Sequence, residues 1–426
     1  MSSYWAETAW LGRAAQRVLI EVEGDRISGV TENADPPAGA ERLPGVVLPG
    51  LANAHSHAFH RALRGATEGA LGDFWSWRDL MYEIAGRLQP DSYRRLARAV
   101  FAEMALAGIT VAGEFHYVHH APGGRPYDDR NAMGQAVIEG ARDAGIRLTL
   151  LDCCYLRGGE GKALEGVQLR FGDGDADGWL RRVDDLRSDA TTRIGAAIHS
   201  VRAVDAQAMT QVAGWSLVHN APLHMHLLER REELSLSPLE TVEKAGVLGP
   251  LTTMVHCTHA AAGFPRLVES GTGVCVCRTT ERFLADGHID PLPLETRLSF
   301  GTDSHAVIDL FEEARALELD ERTRSGARGT YSPETLLDAV GGGGYRALGW
   351  DGGDLRPGRL ADFIAVDLES VRTAAAGAPL DALLVFAASA ADVTNVVVGG
   401  RRIVTDRGHF VVDDPGRELR EAIAAL

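Results

Sequence analysis

The stretch PDSYRRLARAVFAEMALAGITV, residues 90–111, decides the fold. Tyr93, Leu96, Ala97, Val100, Phe101, Met104 and Ala105 recur at helical spacing behind Pro90-Asp91, Gly108 stops the helix, and Ile109-Thr110-Val111 reads as a short strand. A helix feeding a strand is the unit. It returns at 134–151, with Gly145 as the break, and at 205–228, while further apolar strands are expected at 194–198, 253–255, 274–276 and 298–300. Such alternation over roughly 300 residues predicts a parallel sheet covered by helices, closed into a barrel.

Outward from this region the pattern changes. Residues 17–31 alternate apolar and polar side chains around Glu23-Gly24-Asp25, as a β-hairpin does, and 363–366 and 393–398 are β-branched runs followed by the turns Gly399-Gly400 and Asp406-Arg407-Gly408. Both ends are therefore expected to be β. The fold predicted is an α/β chain: a (β/α)8 TIM-like barrel over 47–355, with a small β-sandwich domain built from 1–46 and 356–426, the latter ending in a helix. Gly341 to Gly344 is expected to end a helix of the barrel.

With 45% hydrophobic and 24% charged residues among 426, the composition is that of a globular protein with a large core. Lys and Arg total 43 against 59 Asp and Glu, a net charge of −16 that repels phosphate backbones and anionic lipid, so neither nucleic acid nor a membrane is expected as a partner. An anionic substrate would need arginines placed locally. The beginning MSSYWAETAWLG has no basic segment and apolar run of a signal peptide, and a cytoplasmic location is expected. Five cysteines, with Cys153 beside Cys154 and Cys275 two before Cys277, form neither a disulfide framework nor a zinc-ribbon spacing, and read as buried thiols.

Histidines gather after the expected strands. His55 and His57 follow Val46-Val47-Leu48 and can share one face; His224 and His226 precede Glu229 by five and three positions; His256 and His259 follow Met254-Val255; Asp303 and His305 follow Leu298-Ser299-Phe300. A single His-x-His pair is equally well a solvated or structural pair. Four clusters at four strand ends are another matter, because strand ends converge on one mouth of a barrel, and imidazoles with a carboxylate are what a zinc site with an open position uses.

The strings PGLANAHSHAFHRALRG, HMHLLE, HCTH and GTDSH, with LRPGRLADF near the return to the β domain, resemble the amidohydrolase superfamily in its deaminase branch, over nearly the full length. The resemblance implies one divalent metal ion, Zn2+ foremost, on His55, His57, His226 and Asp303. Glu229 and His259 would act as catalytic residues with Asp303, Glu229 moving a proton to the substrate nitrogen while His259 and Asp303 hold or deprotonate the water. His224 and His256 would be structural or lie outside the inner shell. A homodimer is expected from similar enzymes.

Within that superfamily, FWSWRDLMY from Phe74, FHYVHH from Phe115, HSVRAV from His199, TTERFLADG from Thr279 and SHAVIDLFEE from Ser304 resemble the formimidoylglutamate deiminases. The implied reaction is hydrolysis of N-formimino-L-glutamate, a small anionic metabolite of histidine degradation, to N-formyl-L-glutamate and ammonia. Its two carboxylates suit guanidinium forks, for which Arg78 and Arg202 are the candidates, with Tyr117 and His199 as further donors. Taken without the resemblance, Arg78 reads as a helix-surface charge beside Trp75 and Trp77, and Arg202 as a salt-bridge partner of Asp205. The chain departs from the common pattern at His60, where many members have Gln, and at Arg278, commonly Pro. Two other readings stand beside this one: a deaminase of a purine or related heterocycle, and a non-catalytic barrel scaffold.

Overall fold

A computed structural model describes residues 2–67, 74–375 and 377–426. The helix expected from residue 90 runs Pro90–Leu106; Pro90 opens it, and the Gln89 backbone N–H donates to Ser92 Oγ at 3.0 Å. Gly108, at φ 87, turns the chain into the fully buried strand Ile109–His116. That turn needs a residue free to adopt a left-handed backbone.

Eight such strands form the barrel: Leu51–Ser56, Ile109–His116, Arg147–Cys154, Thr192–Ile198, Leu223–Leu227, Thr252–His256, Gly273–Val276 and Arg297–Phe300. Each pairs in parallel with the next in chain order. The ring is nearly closed by a bridge between Ser56 and Asp303 and by Thr302 N and Asp303 N, which donate to His55 O at 3.1 and 3.0 Å. At this seam Gly301 is indispensable, since a Cβ there would lie 2.7 Å from His55 Cβ and 2.8 Å from His55 O. The last strand can thus press against the first where the histidines emerge.

The helix expected to stop at the glycine run does not stop. Pro333–Asp338 continues through a π turn, Ala339–Gly343, into Gly344–Ala347. The glycines serve packing instead: a Cβ at Gly343 would meet Leu298 O at 2.2 Å, and one at Gly344 would meet Ala52 Cβ at 2.6 Å. Close approach of a helix to strand backbone favours glycine as strongly as a helix end does.

The two ends of the chain share one mixed sheet of eight strands. Ser2–Trp10 pairs in parallel with Glu41–Pro49 and antiparallel with Ala14–Glu23, whose hairpin to Arg26–Thr31 turns at Gly24-Asp25. Phe363–Val366 joins it by pairing with Glu41–Pro49, and Val393–Val398, Arg401–Thr405 and Gly408–His409 follow. Tyr4, Val18, Ile20, Phe363 and Val397 build a core of its own under this sheet. The terminal helix Pro415–Ala424, capped by Asp414, reaches back to Pro90–Leu106 through an Arg98–Glu418 ion pair of 3.1 Å. All five cysteines are buried free thiols, and among the described residues no helix is long and apolar enough to cross a membrane.

Candidate active site

At the carboxyl ends of the barrel strands the chain leaves regular geometry. Leu228, His256, Cys257, Asp303 and His305 all have left-handed backbones, with φ of 50, 71, 56, 43 and 59°. Each such residue costs of the order of 1–3 kcal/mol, and clustering of this strain is characteristic of sites where side chains must be aimed.

What is aimed is a set of imidazoles and one carboxylate. His55 Nε2 and His57 Nε2 each lie 3.3 Å from Asp303 Oδ1, and His226 Nε2 is 3.2 Å from His55 Nε2. His57 Nδ1 is 2.9 Å from Phe115 O and His226 Nδ1 2.9 Å from His199 O. A carbonyl oxygen only accepts, so both Nδ1 atoms carry the proton and both Nε2 atoms present a bare lone pair. Burial first, then neighbouring histidines, pushes His55 and His226 well below the ordinary imidazole pKa; burial likewise lowers His57. Neutral rings with converging lone pairs repel one another unless a cation lies among them. Three neutral imidazoles and an aspartate, all buried, fit a zinc-type ion by charge and by donor kind.

His256 belongs to the same group. Its Nε2 is 4.0 Å from Asp303 Oδ2 and 3.9 Å from Glu229 Oε1, and its Nδ1 donates to Glu281 Oε1 at 3.2 Å. Burial, the largest influence, opposes its protonation, yet Glu229, Glu281 and Asp303 together raise its pKa to about 10. His259 is placed elsewhere: it is half-buried, its ring lies against Gly287, and it takes no part in lining the cavity. Of the two histidines in HCTH, the structure brings the first to the cluster and not the second. His224, two residues before His226 on the same strand, is instead bonded through Nε2 to Ala347 O at 2.9 Å.

Above this floor opens a cavity of about 380 Å³. Arg78, Tyr117, His199, Arg202 and Glu229 all stand in its wall, with Tyr155 and Phe171. Arg202 does not pair with Asp205, which caps the helix Ala206–His219 and holds Arg157 at 2.7 Å. It lies instead 3.0 Å from Glu233 and 3.9 Å from Glu229. The Arg78 guanidinium sits 5.2 Å from the Tyr82 ring centre. Tyr117 Oη is 2.8 Å from His60 Nε2, which ties the departure at His60 to the cavity wall. His60 shares a further potential ligand group with His57 and Asp303. Sequence reasoning placed His60 and His256 outside the inner set; the signal for both was position alone, three residues past His57 and at the last residue of a strand.

The model of the family described as "Amidohydrolase family" matches residues 46–403. Among curated relatives, the chain is 37% identical to formimidoylglutamate deiminase of Pseudomonas aeruginosa, with 100% of both chains covered. It is 30% identical to 8-oxoguanine deaminase of the same organism, over 85% of this chain and 82% of that one. Among solved structures, an amidohydrolase from Brucella melitensis superposes with a TM-score of 0.90 at 29% identity, covering 100% of this chain and 99% of that one.

Proposed function

The chain belongs to the amidohydrolase family, and from that premise we propose that it hydrolyses N-formimino-L-glutamate to N-formyl-L-glutamate and ammonia. The observation that carries the reading is the joining of a cation-shaped donor set to a cavity whose wall holds three arginines, Arg78 and Arg202 among them. Full-length similarity to a formimidoylglutamate deiminase supports the choice of substrate.

His55, His57, His226 and Asp303 would hold one divalent ion, with zinc favoured by three nitrogen donors and one oxygen donor. Such an ion, when bound, supplies acidity to water, lowering its pKa from 15.7 to about 7. The remaining work falls to side chains. Arg202 and Arg78 grip the two carboxylates of the substrate and turn its formimino carbon toward the floor of the cavity. His256 orients the attacking water and Asp303 accepts its proton, the orienting role passing to His256 from His259 because only the former faces Glu229 and Asp303. Glu229, 3.9 Å from His256 Nε2, delivers a proton to the departing nitrogen. Carbon then bears oxygen in place of nitrogen, and ammonia leaves.

A second reading has an observation of its own. Tyr117, Tyr155, Phe171 and Trp77 line the same cavity, and flat aromatic walls suit a heterocycle such as the substrate named for the 8-oxoguanine relative. Ammonia release from N-formimino-L-glutamate, guanine, 8-oxoguanine and adenosine by the zinc-loaded protein separates the two. Release from the dicarboxylate alone, with N-formylglutamate as product, supports the first reading, and release from a purine alone replaces it with the second. Metal-loaded protein inert on all of them would return the scaffold to consideration.

A further inference from the structure

We propose that Glu281, locked in place by Arg278, is the positioning residue that aims His256 into the active site. The inference rests on the assignment of His256 above. His256 is the last residue of its strand and has a left-handed backbone, φ 71, so the sheet no longer fixes where its ring points. A brace must come from outside the strand. Glu281 Oε1 accepts from His256 Nδ1 at 3.2 Å and from Cys277 N at 3.0 Å, while Oε2 accepts from Arg278 Nη1 at 2.5 Å.

The bond to Nδ1 does two things at once. It leaves Nε2 as the atom facing Glu229 and Asp303, and it sets the rotation of the ring about its stem. An ionised carboxylate can only accept here, yet Glu281 is completely buried, where an unpaired carboxylate would take up a proton instead. Arg278, 1% exposed, prevents this. Its Nε and Nη2 bind Asp320 Oδ2 at 2.9 and 2.6 Å, and Asp320 binds Arg282 at the surface. Alternating charges thus run Arg282, Asp320, Arg278, Glu281, His256, from solvent to the cavity floor. Burial works against ionisation of Glu281, but the hydrogen bond from His256 and the charge of Arg278 bring its pKa below the ordinary glutamate value. Arg278 opens the helix Arg278–Phe283, a position at which the main chain asks for no arginine, so its side chain accounts for its presence.

The test uses the full-length, zinc-loaded protein and the substitutions Glu281→Gln and Arg278→Met. Three quantities are read: metal per chain, kcat and KM for N-formimino-L-glutamate, and the imidazole 15N resonances of His256, assigned by their loss in His256→Gln. Glu281→Gln should keep its metal and keep KM within about threefold, lower kcat roughly 10²-fold, and move the Nδ1 resonance. Arg278→Met should shift kcat and the resonance the same way, by roughly tenfold in kcat. Wild-type kcat with an unmoved resonance in Glu281→Gln overturns the proposal, as does a fall in activity matched by an equal loss of metal. If Glu281→Gln fails to fold, Arg278→Met is judged by the same criteria. A wild-type protein inert toward this compound would sink the substrate reading alone, because the resonance needs no substrate and still reports on the brace.

Discussion

Replacing His256 and His259 one at a time with Gln separates the two histidines of HCTH by their effect on turnover. His256 is 1% exposed, and its Nε2 stands 3.9 Å from Glu229 Oε1 and 4.0 Å from Asp303 Oδ2, gaps that one water or one substrate atom can bridge. A positioned acid–base group contributes roughly 10²- to 10⁴-fold, and each tenfold is about 1.4 kcal/mol of barrier, so its loss should cost about 3–5 kcal/mol in activation. His256→Gln also leaves the buried Glu281 carboxylate one donor short, a loss of about 1–3 kcal/mol in stability, and rates must be taken well below the lowered melting temperature. His259 touches neither Glu229 nor Asp303, and His259→Gln should stay within about threefold of wild type. Initial rates of ammonia release from N-formimino-L-glutamate, with zinc measured on the same samples, decide the matter. A His256→Gln protein with full zinc and near-normal kcat, or a His259→Gln protein slowed a hundredfold, would refute the reasoning.

Arg202→Met should raise KM for the dicarboxylate roughly 10- to 100-fold, the worth of charge-assisted hydrogen bonds of about 1.5–3 kcal/mol, and an unchanged KM speaks against Arg202 as a carboxylate anchor. Asp303→Asn should lose activity and most of the metal. In the wild type, zinc at a thousandfold excess over its Kd should add about 4 kcal/mol to stability, an increment the variant should lack; full zinc and normal turnover in the variant would contradict the ligand assignment. Asp173 offers a pH test. Burial opposes its ionisation, but Arg182, at 2.9 Å, and His120 outweigh burial and hold its pKa well below the usual carboxylate range. A depressed folded-state pKa stabilises above the unfolded value of about 3.9 and fades as pH falls toward the folded one. Asp173→Asn should therefore cost about 3 kcal/mol in urea unfolding at pH 7, and its deficit should shrink below about pH 4. A deficit constant from pH 7 to pH 3 would show that the ion pair with Arg182 is not its source.

The barrel was legible because its code is local. Tyr93 through Ala105 at helical spacing, Gly108, then Ile109 specify one helix–strand unit without reference to the rest of the chain, and the unit recurs. The glycine run at 341–344 was misread for the opposite reason. What it serves is contact with Leu298 and Ala52, residues about 45 and 290 positions away, and no local pattern announces a distant backbone.

The site divides along the same line. His55 and His57 share a face by simple alternation, and strand-end position alone brings His226 and Asp303 to the same mouth. His256 is different. Val255 pairs with His226, so alternation assigns His256 to the face opposite the one His226 uses. The left-handed backbone at His256 and Cys257 breaks the alternation and lets the ring enter the mouth. Such a conformation costs free energy at a residue that is not glycine, and it persists only where other contacts hold it. Glu281 supplies one of those contacts, at His256 Nδ1, from a helix that begins 22 residues later in the chain, at Arg278. Since a reading based on periodicity treats every strand residue as alternating, it cannot find a side chain that reaches the mouth only where the alternation fails. Positions where strand ends turn left-handed without glycine, here Leu228 ahead of Glu229 as well as His256 and Asp303, are thus where the structure adds most to the sequence.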